Sequence, residues 1–174
     1  MDRRPTQSVA MSATDEIVSH AHDRAEKGRP PAAARSPRKH LLIVTCMDSR
    51  IDNFDLFGLA VGDAHILRNA GGVVTDDMIR SIAISQRKLG TREIVLVHHT
   101  DCGMTGITED GFKQDLERET GVRPEWAVES FTDPAADVRQ SMERLRRSPF
   151  LLERDQLRGF VYDVDSGELI EVGN

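Results

Sequence analysis

Cys46 and Cys102 are the only cysteines of the chain, and each stands where a run of aliphatic and β-branched residues ends. Cys46 follows Leu41, Leu42, Ile43, Val44 and Thr45 and opens the motif Cys46-Met47-Asp48-Ser49-Arg50. Cys102 closes His99-Thr100-Asp101-Cys102 after Ile94, Val95, Leu96 and Val97. If the two runs are neighbouring strands, two sulfurs and one imidazole meet at their carboxyl ends, where open α/β sheets bind ligands. Zinc is four-coordinate and takes such a soft, mixed donor set, leaving one position for water or a further protein group. The competing reading, two buried thiols behaving as small hydrophobes, leaves the His-x-x-Cys and Cys-x-Asp-x-Arg spacings as accidents.

His98 and His99 cannot both face such a site, because successive side chains on a strand point to opposite faces. His99 has the His-x-x-Cys spacing and is the expected ligand. His98 reads as a structural histidine, with a proton relay as the alternative. Two thiolates cancel the formal charge of the ion, so it acidifies its water less than a three-histidine site, where the pKa falls to about 7. Asp48 can supply help by accepting a hydrogen bond from that water. The same carboxylate is a good fourth ligand, and the planar fork of Arg50 can hold it off the metal in a bidentate pair. The expectation is a switch, closed with Asp48 on the metal, open with Asp48 on Arg50, and more active as pH rises. An ordinary surface ion pair is the alternative for these two residues.

The surrounding elements must bring these residues together. Strands are expected over 40–45, 64–67 and 93–98. Between the last two, Thr75-Asp76-Asp77 starts a helix, since a hydroxyl cap and two acids satisfy free amides and suit the dipole. Ile79, Ile82, Gln86 and Leu89 share one side of it, and Gly90 stops it. Residues 111–120 read as helix ending at Gly121. Asp133-Pro134 opens another, with Val138, Met142 and Leu145 at helical spacing until Ser148-Pro149. Segments 159–164 and 168–172 flank Asp165-Ser166-Gly167 as a hairpin. This alternation predicts an α/β fold, a mostly parallel central sheet with helices on both faces. Asn69-Ala70-Gly71-Gly72 lacks the lysine and the glycine spacing of a phosphate loop, so close backbone packing at the site is expected. Gly103 is expected to let the backbone pass near the metal, its amide free to donate to substrate. His65 reads as core, and Glu117-Arg118-Glu119 as a solvated helix face.

At 174 residues, 39% hydrophobic and 30% charged, the chain suits one domain with an ordinary core. A net charge of −6 lacks the basic excess that tracking nucleic acid requires. No apolar run approaches the ~18 residues of a spanning helix. Two cysteines make no disulfide scaffold, which points to a reducing, cytoplasmic setting. Met1-Asp2-Arg3-Arg4-Pro5 begins basic but leads into no apolar segment, so no secretory leader is expected, and Asp2, Asp15 and Glu16 weaken a transit-peptide reading. Residues 1–37 read as an arm that packs on a neighbour or frays. In it Ser12 or Thr14 caps a helix over 15–27, and the proline-rich stretch 29–37 is extended or irregular. Residues 38–174 form the single domain.

Three motifs together, Cys46-Met47-Asp48-Ser49-Arg50, Arg68-Asn69-Ala70-Gly71-Gly72 and His99-Thr100-Asp101-Cys102-Gly103, resemble the signature of the β-class carbonic anhydrases. Val73-Val74-Thr75-Asp76-Asp77, the compact length and Gly159-Phe160-Val161 are similar to the short prokaryotic branch of archaea and actinobacteria. The resemblance implies four parallel strands extended by an antiparallel edge strand, and a homodimer or larger homo-oligomer with active sites at the subunit interface. It implies one Zn2+ per subunit on Cys46, His99 and Cys102, with Asp48 as an occasional fourth ligand and Asp48 with Arg50 as catalytic dyad. The implied reaction is the reversible hydration of carbon dioxide to bicarbonate and a proton, by attack of zinc-bound hydroxide. Two other readings keep the metal: a hydrolase of carbon disulfide or carbonyl sulfide, and a non-catalytic zinc-binding dimer. Arg50 discriminates the last, since a structural site has no need to pull Asp48 away. One departure stands out: many longer members place a substrate-contacting glutamine nine positions before the first cysteine ligand, and Pro37 stands there, an absence that short members share.

Overall fold

The computed structural model describes residues 12–28 and 34–173, and the chain divides into two units, Met1–Ala33 and Ala34–Asn174. In the first, α1 (Ala13–Glu26) is opened by Ser12, not Thr14. The Ser12 hydroxyl accepts from the Asp15 N–H while the Asp15 carboxylate accepts from the Ser12 N–H, a capping box. The basic start and most of the extended stretch expected over 29–37 lie outside the described residues.

The second unit runs β1 (Leu41–Cys46), α2 (Asn53–Leu56), β2 (Ala64–Asn69), α3 (Asp76–Leu89), β3 (Glu93–His99), α4 (Glu109–Thr120), α5 (Pro134–Arg147), β4 (Leu157–Tyr162) and β5 (Leu169–Glu171). Single 3₁₀ turns cover Ala70–Gly72 and Gly103–Gly106. The sheet order is β2-β1-β3-β4-β5, with the first four strands parallel and β5 antiparallel to β4, as expected. Strands β1 and β3 lie side by side at its centre and are buried almost throughout. That explains why both read as continuous aliphatic runs rather than alternating ones. Their register, Thr45 beside Val97, brings Cys46 and the end of β3 to one edge of the sheet. The main core gathers Leu42, Val44, Ile82, Ile94, Leu96, Val138 and Leu145. Among the described residues no helix is long and apolar enough to cross a membrane.

Several expectations shift at the boundaries. Strand β3 continues through His99, and β2 through Asn69. Helix α4 starts at Glu109 because Thr108, not a later residue, caps it through the Gly111 N–H. The buried face of α3 is Met78, Ile82, Ser85 and Gln86, with Ile79 and Leu89 only half-buried at its flank. Gln86 sets that rotation: its amide donates to the Glu153 carbonyl and accepts from the Leu152 N–H, so a polar residue faces inward and satisfies a loop.

After β2 the chain turns back sharply, with φ of +81° at Gly71 and +72° at Gly72. A Cβ on Gly72 would stand 2.8 Å from the Cys46 nitrogen and 2.8 Å from the Thr45 carbonyl carbon. This is the close backbone packing expected of the motif. Gly72→Ala is predicted to cost about 3 kcal/mol, read as the loss of unfolding free energy in urea, since left-handed strain and overpacking add.

Candidate metal centre

Three side chains converge at the carboxyl end of the central strands. One ligand atom each from Cys46, His99 and Cys102 lies within 4.8 Å of the others, and all three residues are buried. Cys46 ends β1, His99 ends β3, and Cys102 follows a turn through Asp101 in the left-handed region (φ 51°) that folds the chain back toward β1. The cysteines form no disulfide. Around them pack Ile51, Val73, Met104 and Phe131, a second, smaller apolar cluster.

The imidazole of His99 is fixed by its own backbone neighbourhood. Nδ1 lies 2.8 Å from the Thr100 carbonyl oxygen, which makes it the protonated nitrogen and leaves a lone pair on Nε2. Nε2 is buried and has no hydrogen-bond partner. A buried acceptor left orphaned is costly, and with two sulfurs within 4.8 Å of it, coordination of a cation would satisfy it. The thiols are poised as well. A hydrogen bond from the Cys102 thiol, with the Asp48 and Gly71 N–H groups, pulls the Cys46 pKa down, while sharing that proton with Cys46 and burial push the Cys102 pKa up. Two soft sulfurs and one imidazole with a free lone pair fit zinc.

Asp48 and Arg50 stand at the rim. The Arg50 fork donates to both carboxylate oxygens of Asp48, Nε to Oδ1 at 3.0 Å and Nη2 to Oδ2 at 2.7 Å. This pair holds the Asp48 carboxyl well below the usual carboxylate range and raises the already high pKa of Arg50. Asp48 Oδ2 also lies 3.8 Å from His99 Nε2, so the carboxylate faces the convergence point of the three donors. The far side of Arg50 is occupied too: Nη1 donates to Asp101 Oδ2 at 2.8 Å and Nη2 to the Asp101 carbonyl at 3.0 Å.

His98 faces away from this site. Its Nε2 meets Asp137 Oδ2 of α5 at 2.7 Å, and its ring stacks on Phe131 with centroids 5.0 Å apart. Asp137→Ala should leave the buried His98 nitrogen unpaired and lower stability by about 1–3 kcal/mol in urea unfolding, with the three-donor cluster intact. His65 is half-buried on β2 and joins α3 through the Ser85 hydroxyl at 2.7 Å, in keeping with a packing role. Glu117, Arg118 and Glu119 are exposed, as expected of a solvated face. Gly103 is exposed, and a Cβ there would meet no protein atom within 4 Å.

The roles of several participants went unread in the sequence, although Arg68 and Asp101 stand within its motifs. Arg68, on β2, donates to the carbonyls of Cys46, Asp48 and Ile51 at 2.9, 2.6 and 3.2 Å, clamping the loop that carries Asp48 and Arg50. Asp101, Asp137 and Phe131 likewise act through partners distant in the sequence, where no periodic signal marks them.

Comparison with known proteins adds an independent line. Residues 41–132 match the family model described as carbonic anhydrase. The chain is 51% identical over 162 residues to β-carbonic anhydrase 1 of Mycobacterium tuberculosis, covering 93% of this chain and 99% of that one. It is 32% identical over 155 residues to a carbon disulfide hydrolase of Acidianus sp., covering 75% and 76%. The crystal structure of a carbonic anhydrase from Streptococcus mutans superposes with a TM-score of 0.87 at 42% identity, covering 95% of this chain and all of that one.

Proposed function

The chain belongs to the β-class carbonic anhydrase family, and on that premise we propose that it interconverts carbon dioxide and bicarbonate, with one zinc ion per subunit on Cys46, His99 and Cys102. The observation that carries the reading is the buried, partnerless Nε2 of His99, set among two thiols and faced by a carboxylate that Arg50 holds back. Zinc held there would act as a Lewis acid that lowers the pKa of a water molecule and supplies hydroxide at moderate pH.

The chain's own residues do the rest. Asp48, ionised at all moderate pH, accepts a hydrogen bond from the reacting water and orients its lone pair toward substrate. Arg50 keeps that carboxylate from collapsing onto the three donors, and Arg68 fixes the loop beneath both. Ile51, Val73, Met104 and Phe131 give the donors an apolar wall, which suits a linear, uncharged substrate and strengthens the electrostatic contacts inside it. The exposed Gly103 N–H is the donor assigned to the substrate oxygen. Assembly as a homodimer or larger homo-oligomer, and a cytoplasmic location, belong to the same reading and rest on family membership.

The carbon disulfide hydrolases among the relatives motivate a second reading, in which the same centre attacks a sulfur analogue of carbon dioxide. Stopped-flow assays at about pH 8.5 with carbon dioxide and carbon disulfide in parallel separate the two. Rapid hydration of carbon dioxide without sulfide release is expected. Sulfide release with negligible hydration would transfer the assignment to the second reading, and no turnover of either by zinc-loaded protein would reject both. The rate of hydration is expected to climb from about pH 6.5 to about pH 9. Because Asp48 is already ionised across that window, the climb reports deprotonation of water and not of the carboxylate. A flat profile would contradict this.

A further inference from the structure

Arg50 is held by two acids from two different loops, and only one of them has a part in the function proposed above. Asp48 takes the Nε and Nη2 edge of the guanidinium. Asp101 takes the remaining edge, with its carboxylate on Nη1 at 2.8 Å and its main-chain carbonyl on Nη2 at 3.0 Å. Left with Asp48 alone, an exposed arginine could swing about its long stem and carry the carboxylate with it, or release it toward the three donors. With the opposite edge pinned, the fork has a single orientation, and Asp48 is presented to the site at a fixed position.

We propose that Asp101 is a positioning residue, which anchors the outer edge of Arg50 so that the guanidinium keeps Asp48 off the metal donors. The backbone at Asp101 supports this assignment. Its φ is +51°, a conformation that L side chains adopt rarely, and it is this turn that directs both the Asp101 carbonyl and its carboxylate at Arg50. Asp101 also directly precedes Cys102, so the same turn that delivers the third donor delivers the anchor, tying the loops after β1 and β3 across 51 positions of sequence. The groups facing Arg50 are Asp48 and Asp101, and the anchoring needs no change in the charge of either. The inference rests on the reading of Arg50 as the restraint on Asp48.

Asp101→Gly and Asp101→Asn test it in the zinc-loaded protein. Glycine accepts the left-handed backbone freely, so a role confined to shaping the loop survives that substitution. Asparagine also tolerates the backbone and keeps one neutral acceptor for Nη1. Two readouts are taken: kcat/KM for carbon dioxide hydration, and the rotation of the Arg50 guanidinium measured by 15N NMR of its side chain. Anchoring predicts that Asp101→Gly speeds the rotation and lowers kcat/KM, each by about fivefold, as loss of one exposed ion pair implies, with Asp101→Asn in between. Unchanged rotation and unchanged kcat/KM in Asp101→Gly would overturn the proposal, as would loss of activity with the Arg50 signals unaltered. If the wild-type protein hydrates no carbon dioxide and yet Arg50 loosens in Asp101→Gly, the anchoring stands and the assigned reaction falls.

Discussion

Cys46→Ala, His99→Ala and Cys102→Ala are each expected to purify without stoichiometric zinc and to lose carbon dioxide hydration by roughly 10⁴-fold or more, because the water is no longer acidified. The three donors come from the ends of β1 and β3 and from the turn after β3, each is buried, and the one carboxylate that faces them, Asp48, is held by Arg50. His98→Ala is the control. His98 sits one residue from His99 but points to Asp137 and Phe131, so its removal should reduce stability and leave zinc content near one per chain. Metal analysis of the four variants distinguishes the two histidines directly. Zinc retained in His99→Ala and lost in His98→Ala would reverse the assignment of the strand's faces.

Arg50→Ala is expected to keep its zinc and lose about a hundredfold in kcat/KM, since outer partners of a metal site commonly contribute on that scale. The bidentate contact is what matters: Nε and Nη2 reach separate oxygens of Asp48. A lysine offers one point charge and no fork, so Arg50→Lys should recover little of the loss. Asp48→Asn should fall about as far for a different reason, as the amide is a weaker acceptor for the reacting water. Stopped-flow rates with parallel zinc analysis check both. Full activity in Arg50→Ala would mean that Asp48 needs no restraint and would favour the reading of Asp48 and Arg50 as an ordinary surface pair.

The parts of this site legible in the sequence are those whose signal is local. Cys46 and His99 announce themselves because each ends an aliphatic run, and a strand covered on both faces has no room for polar residues until it emerges. The caps of α1, α3 and α5 were legible for the same reason: Ser12, Thr75 and Asp133 bond amides two or three positions ahead. Helix α2 is four residues long, too short for any periodicity, and follows from Asp52 accepting two N–H groups. The inward face of α3 was legible at Ile82 and Gln86, but Ser85 is buried for hydrogen bonds to His65 and Thr91, and hydrophobic spacing cannot register that. Arg68, Asp101 and Asp137 are ordinary charged residues by composition. Their roles arise only when the sheet order sets them against Asp48, Arg50 and His98, and that order is a property of the fold and not of any one segment.

Two sulfurs and one imidazole of this chain are proposed to hold a zinc ion at the end of the sheet. X-ray absorption at the zinc edge of the purified, folded protein tests it most directly. Two sulfur neighbours at about 2.3 Å are expected, with nitrogen or oxygen neighbours at about 2.0–2.1 Å. Folded protein that carries no zinc, or a zinc environment without sulfur, would contradict it.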